Sequence, residues 1–502
     1  MKRLLVFCVA LVLVAGPVLA DGGDDGPKPW LNLSGFYAFN GYSQQNFFLG
    51  AKGGAGGVSD NDEYSIQMFR LMGEFGYGEN IKAVVRADLA QGIWGIDNDQ
   101  RTPQDGGFSN LFNNKDTNFS VHIDWAYIDF NYPDSGFRAK LGRQHYVLGH
   151  KLVVDQDNDG IWLSKKAGPG ALIFTWSKMF EGIDGLSDNN DGPQGGLDAR
   201  DSDLYTLTYS VKTDNWKLDP YVAYYKDKGI DDGTAYIPQG FQYFNARFRP
   251  QITEAQVLGF SFQGKAGIFT LKGEVDYLTG DDDIENFDSG ARQVLDVNNG
   301  DLEGWNLYLD AKVALGPGKL GGIFGMGSGD DDPMSGKGNI NKIRTNGFFY
   351  YTEVWEDSVM PDELGITPQG LGSPASRGYR EFENSTVLQL NYTWNINEKL
   401  TYFVAGTYIQ ATEDIWAWTP QDGGIVGPDD MGPDKSKDLG EELDMKLVWK
   451  VSPGLAWIFR GGYFWAGDGA GYLINGNINT LENAYELRTT IKFSFGGLSF
   501  GK

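Results

Sequence analysis

Cysteine is almost missing from this chain: the only one, Cys8, falls within the first twenty residues. Those residues, MKRLLVFCVALVLVAGPVLA, read as an export signal. Lys2 and Arg3 form its charged start, Leu4 to Ala15 its apolar run and Val18-Leu19-Ala20 its cleavage site. With residues 1–20 removed, the expected mature chain has no disulfide, no thiolate nucleophile and no cysteine-held metal or haem. Cys8 also lies too far from the cleavage site to carry a lipid anchor. Long apolar runs are lacking as well. The one in the signal is shorter than the roughly 20 residues a helix needs to cross a bilayer, and no later stretch approaches it. Histidine is scarce, limited to His122, His145 and His150. None belongs to an H-E-x-x-H pattern, and no G-x-S-x-G elbow occurs. SGKG (335–338) lacks the remaining residues of a phosphate loop, and GGAGG (53–57) reads as a flexible loop tip. Nothing singles out a nucleophile, so the chain is not expected to be an enzyme. Positive charge is in deficit too. A net charge of −25 repels phosphate backbones and argues against nucleic acid as a partner.

What the chain has in abundance is glycine, 70 residues, and aromatics, 14%. Its mean hydropathy is −0.36. Aromatic content this high argues against disorder and leaves two classes, a large secreted β-protein or a β-barrel of a bacterial outer membrane. Periodicity separates them. In 442–450, Leu443, Met445, Leu447 and Trp449 share one face, with Glu442, Asp444, Lys446 and Lys450 on the other. Near the C-terminus Tyr485, Leu487, Thr489, Ile491, Phe493 and Phe495 alternate with Glu486, Arg488, Thr490, Lys492 and Ser494. Upstream, Ile81, Ala83, Val85, Ala87 and Leu89 alternate with Lys82, Arg86 and Asp88. Period two means strands with one apolar face. These run to roughly 10–14 residues, long for a globular protein and suited to tilted strands crossing a membrane.

Short turns such as GYGEN (76–80), NYPDSG (131–136), LGPGK (315–319) and VSPG (451–454) alternate with long Asp- and Gly-rich connections, among them 92–118, 229–253 and 328–384. Short periplasmic turns and long acidic extracellular loops are the outer-membrane arrangement. The expected fold is all-β, a transmembrane antiparallel up-and-down barrel of about 18 strands. A count of about 16 is the alternative, because strands near 157–183 and 254–280 are weakly bounded. Residues 21–29 form a linker and 30–502 a single barrel domain.

The segment FRAKLGRQHYVLGHKLVV (137–154) resembles the alginate-export porins of Gram-negative outer membranes. The matching residues are Gly142, Arg143, Gln144, Tyr146, Gly149, Lys151, Leu152 and Val153, followed by Asp159, Gly160 and Trp162. The resemblance implies an eighteen-stranded barrel in which basic lumen residues guide an anionic polymer, with Arg143 the one matched basic position. Strict alternation sets Arg143 with Phe137, Ala139 and Leu141; a bulge near Gly142 would turn it inward.

Alternation by itself nominates a lumen set. The basic members are Arg70, Lys82, Arg86, Arg138, Lys140, Lys272, Lys312, Lys446, Arg460, Arg488 and Lys492. The acidic members are Glu74, Asp88, Asp124, Glu274, Asp276, Asp310, Glu442, Asp444 and Glu486. Such charges filter a passing solute or pair across strands to order the lumen, and their near balance leaves anion or cation preference open. Loop 328–384 either extends outward or folds in, bringing Arg344, Arg377 or Arg380 to the pore.

One acidic run stands apart. In DQDNDGIW (155–162), Asp155, Asp157, Asp159 and Gly160 match the first half of a calcium loop. Position twelve is Lys166 and the flanks are strands, which excludes an EF-hand. The run is expected in an extracellular loop, either as a solvated acidic turn or as a Ca²⁺ or Mg²⁺ site on those three carboxylates. No other cofactor is expected. The expected partners are outer-membrane lipid and lipopolysaccharide, the barrel-assembly machinery, and polar or anionic solutes. Three functions fit: a passive water-filled porin for polar, anionic or oligosaccharide solutes; a general ion-selective porin; or a secreted calcium-stabilised sandwich or adhesin.

Overall fold

The computed structural model describes residues 27–47, 49–50, 61–95, 120–180, 202–227, 252–283, 300–329, 351–355, 382, 384–418 and 431–500. The expected signal lies outside them, as do Arg344, Arg377 and Arg380. Eighteen strands form one sheet. The first nine are Pro29–Gln45 (β1), Asp62–Tyr77 (β2), Ile81–Ile93 (β3), Ser120–Tyr132 (β4), Phe137–Val147 (β5), Asp155–Ala167 (β6), Gly170–Phe180 (β7), Ser202–Lys212 (β8) and Trp216–Asp227 (β9). The rest are Ile252–Ala266 (β10), Phe269–Asp283 (β11), Gly300–Leu315 (β12), Gly318–Gly327 (β13), Ser385–Asn395 (β14), Leu400–Trp418 (β15), Met431–Ser452 (β16), Leu455–Ala466 (β17) and Ala484–Phe500 (β18). Each pairs antiparallel with its neighbours in the chain. β1 pairs with β18 from Leu31 opposite Phe500 to Gln45 opposite Tyr485, and this closes the barrel. The weakly bounded regions resolve into two hairpins, β6–β7 and β10–β11, so the count is eighteen rather than sixteen.

Alternation decides which way each face looks. On β18, Leu487 is 58% exposed while Glu486 beside it is 1% exposed. On β16, Met445 and Trp449 are exposed while Glu442 and Asp444 are buried. The apolar faces look outward and the charged faces inward, the reverse of a water-soluble sandwich and what a barrel facing hydrocarbon requires. Aromatic side chains gather on the outside, as in the stacked Trp449–Trp457 pair and the Tyr463–Trp465 pair.

At one end the strands are joined by tight turns, such as 168–169 after β6 and 316–317 after β12; at the other end lie the long connections. One member of the second set breaks the pattern: β5 and β6 are joined by only residues 148–154. A helix, Asp468–Asn475 (α1), lies in the last connection, where Ala470 and Leu473 pack with Ile415 of β15 and Leu439 of β16.

Candidate functional site

The period of β5 breaks at Gly142, whose φ of +123° is a conformation glycine favours. A Cβ there would sit 2.4 Å from the Ala126 carbonyl oxygen, so a side chain is excluded on spatial grounds too. The ladder between β4 and β5 ends at Ala126 opposite Arg143, and the ladder between β6 and β7 starts only at Asp159 opposite Lys178. Between those limits β5 and β6 pair with each other and with no other strand. The hairpin tip, residues 144–158, therefore leaves the wall. At its root Arg143 Nε donates to the Ile123 carbonyl at 3.2 Å, on the part of β4 beyond the last β4–β5 pair.

The tip crosses the lumen. Tyr146, Leu148, Val153 and Val154 pack in a buried cluster with Leu204, Tyr221, Ala223, Ala255, Val257 and Leu278, from the inner faces of β8 to β11. Leu152 joins a second cluster that holds Leu49, Tyr308, Tyr351, Trp355 and Phe382. The His150 N–H donates to the Glu274 carboxylate, and its ring Nε2 lies 3.0 Å from the Phe262 carbonyl oxygen. Burial pushes the His150 imidazole below its usual range. Gly149, at φ +52°, lies so close over Glu274 that a Cβ would collide with the carboxylate.

The acidic run thus sits in strand β6, not in the expected loop, and most of its carboxylates have protein partners. Asp155 contacts His145 and accepts from Lys151 Nζ at 2.8 Å. Asp157 accepts from Arg86 at 3.0 Å and from the Trp125 indole at 2.8 Å. Asp159 stands opposite Arg143 on one side and Lys178 on the other. These contacts wire the tip back to the wall. The Arg86 guanidinium lies 3.5 Å from the centre of the Trp125 ring, and Trp125 stacks on His145. Arg70 reaches Asp88 at 2.7 Å and Asp124 at 2.6 Å, and Arg86 shares Asp124 at 2.8 Å. Asp88, His122 and Asp124 bring one ligand atom each within 4.8 Å of one another, but Arg70 and Arg86 already neutralise both carboxylates.

A second inward segment, residues 351–355, comes from the connection between β13 and β14. The backbone N–H groups of Glu353, Val354 and Trp355 donate to the Glu442 carboxylate at 2.9, 2.7 and 2.8 Å. Glu442 and Asp444 are thereby buried beneath the chain. Trp355 packs on Phe464, and Gln389 Nε2 donates to the Tyr351 carbonyl oxygen.

The remaining charges follow one rule: acids lie against the wall and bases extend over them. Arg138 is 41% exposed over Asp129 at 2%, and Lys312 is 41% exposed over Asp310 at 3%. Lys272 also reaches Asp310, and Lys82 pairs with Glu74. Lys140 lies over the Tyr127 and Trp162 rings and Lys492 over Phe36. On the arc opposite the seated tip, Lys446, Arg460 and Arg488 stand in register across β16, β17 and β18. The row continues into Tyr42 and Tyr64, a stacked pair directly across β1 and β2. Arg488 pairs with Glu486 and lies over the Tyr42 ring; Arg460 reaches Glu353 at 3.5 Å.

Of the nominated charges, Arg138, Lys272 and Lys312 stay part-exposed, whereas Glu274, Asp276, Glu442 and Asp444 lie buried beneath inward segments. Sequence reasoning missed the aromatic partners Trp125, Tyr42 and Tyr221. It also missed the fact that the motif Gly142 to Val153 is the inward tip itself. The shortness of 148–154 among long connections was the available signal.

No protein-family model matches the chain, and no curated protein matches it in sequence. Solved structures do match. OccAB1 of Acinetobacter baumannii aligns with 93% of this chain and 96% of its own at 10% identity, with a TM-score of 0.51. OccK8 (OprE) of Pseudomonas aeruginosa aligns over 95% and 100% at 12% identity, with a TM-score of 0.49. OccK2 (OpdF) of the same organism, solved in complex with glucuronate, aligns over 95% and 99% at 12% identity, with a TM-score of 0.46. At such identity the likeness to OccAB1 is a likeness of fold, an eighteen-stranded barrel.

Proposed function

We propose that this chain is a passive channel of a bacterial outer membrane, passing small polar solutes and favouring anionic ones. The export signal, the apolar exterior and the charged interior support the location. The observation that carries the preference is the depth ordering of charge. By number the inward acids and bases are nearly balanced, but in pairs such as Arg138–Asp129, Lys312–Asp310 and Arg70–Asp88 the acid is held against the wall while the base reaches toward the lumen, and Glu274, Asp276, Glu442 and Asp444 lie beneath 148–154 and 351–355. A passing solute meets the exposed sign first. With the tip seated on β8–β12, the passage runs along β16–β18, β1 and β2, past Lys446, Arg460, Arg488 and Arg70. The resemblance to alginate-export porins, carried by the residues of the tip, extends this reading to acidic oligosaccharides as solutes. The test is the reversal potential of the purified protein in a planar bilayer under a salt gradient. Anion preference is expected. Cation preference would show that the acidic loops control entry and would overturn the reading.

A further inference from the structure

We propose that the two inward segments, the hairpin tip 144–158 and residues 351–355, seat as one unit, so that releasing either one releases the other. Neither is held by the ladders of the wall. The tip pairs only with itself, and 351–355 belongs to no strand among the described residues. Each is held by its seat. The tip rests on Phe262 and Glu274 through His150, and 351–355 rests on Glu442 through three backbone N–H groups. On β17 Gly462 leaves room for the second seat, because a Cβ there would lie 2.6 Å from a methyl carbon of Val354.

The two seats lie on different parts of the wall, β10–β11 and β16–β17, and side chains join them. The His150 ring meets the Tyr308 ring edge-on at 6.0 Å. Tyr308 of β12 stacks on Phe382 at 5.9 Å, and Phe382 stacks on Tyr351 at 5.4 Å. Phe382 lies over β13, where a Cβ on Gly325 or Gly327 would overlap it. Leu152, at the end of the tip, shares one buried cluster with Tyr351, Val354 and Trp355. Lifting the tip uncovers Leu152 and Tyr308, and with them the apolar surface on which Phe382 and Tyr351 rest. Lifting 351–355 uncovers the same surface from the other side. Segments packed on side chains rather than on ladder hydrogen bonds open in such local units. Each segment lowers the cost of seating the other, and by linkage the effect is equal in both directions.

Thiol labelling measures seating without current, so the coupling stands or falls apart from the channel reading. Cys8 is the only cysteine and lies in the expected export signal, so an introduced thiol is labelled alone. Val153→Cys and Val354→Cys place reporters at buried positions of the two segments. In the purified barrel in detergent both are expected to react slowly with a polar maleimide. Glu442→Gln weakens the seat of 351–355 and is expected to speed labelling of the remote thiol at position 153 by about fivefold or more. Gly149→Ala sets a Cβ against the Glu274 carboxylate and is expected to do the same for the thiol at position 354. Phe382→Ala, between the two, is expected to raise both rates. Heat-dependent gel mobility reports that each variant is a folded barrel. Should Gly149→Ala not fold, Leu152→Ala takes its place. A remote thiol that keeps its slow rate would overturn the proposal, and so would fast labelling of both thiols before either seat is weakened.

Discussion

Leu152 offers the sharpest test of the inward hairpin. Its side chain is fully buried at the far end of the tip, packed with Tyr308, Trp355 and Phe382. Leu152→Ala removes that packing and leaves a cavity, at a cost of about 2–5 kcal/mol. At about 1.4 kcal/mol per tenfold, the ratio of seated to unseated tip falls roughly 30- to 4,000-fold. The barrel itself is spared, because residues 144–158 contribute no pairing to the wall strands β4 and β7. Single-channel recording is the assay. The parent is expected to show a steady conductance, and Leu152→Ala frequent excursions to a larger one, with unchanged heat-dependent gel mobility. Leu152→Met, which keeps the volume, is expected to behave as the parent. If Leu152→Ala shows the parent's conductance and noise, the tip does not restrict the passage and the reasoning fails.

Three further outcomes are expected. Lys446→Glu changes the lumen by two charges without breaking an ion pair among the described residues. At about 8 Å from a passing ion, with one screening length between, this is worth roughly 0.4 kcal/mol for each ion sign. The anion-to-cation permeability ratio should therefore drop about two- to fourfold, read from the reversal potential. Gly142→Val combines φ +123° with a clash against Ala126. It is expected to cost more than about 1–3 kcal/mol and to raise conductance or lower barrel yield, whereas Ser164→Thr on the wall part of β6 should do neither. Burial in its seat holds the His150 imidazole below its ordinary pKa. Its contribution to seating is full above the ordinary imidazole value near 6.5 and is lost as pH falls below it. Current excursions are expected to increase on acidification below about pH 6.5, and His150→Gln is expected to flatten that dependence.

Much of the barrel was legible because strands with one apolar and one charged face carry their address in every second residue. Glu442 to Lys450 and Tyr485 to Phe495 state both strand and facing without help from the rest of the chain. The tip was not legible, for a definite reason. Asp155, Asp157 and Asp159 repeat at every second position, and a calcium loop and a strand share that spacing, so the run reads equally well as either. What distinguishes them is the partners: Arg86 and Trp125 for Asp157, His145 and Lys151 for Asp155. Arg86 and Trp125 are strands away in sequence. The facing of Arg143 stayed open for a related reason, since strict alternation assumes a continuous wall and the β4–β5 ladder ends at Arg143 itself. Counting charges likewise could not reveal that the acids lie deeper than the bases, because depth depends on which side chains are covered by 148–154 and 351–355.

The seat of the hairpin has a consequence for how the molecule is made. The tip belongs to residues 144–158, but the groups that receive it come much later in the chain: Phe262, Glu274, Tyr308 and the segment ending at Trp355. Until β8 to β12 are in place, β5 and β6 have no floor to rest on. Docking of the tip is thus a late, long-range event, slow by the measure of sequence separation. Closure of the β1–β18 seam does not by itself seat the tip, and the lumen is crossed only when the tip arrives.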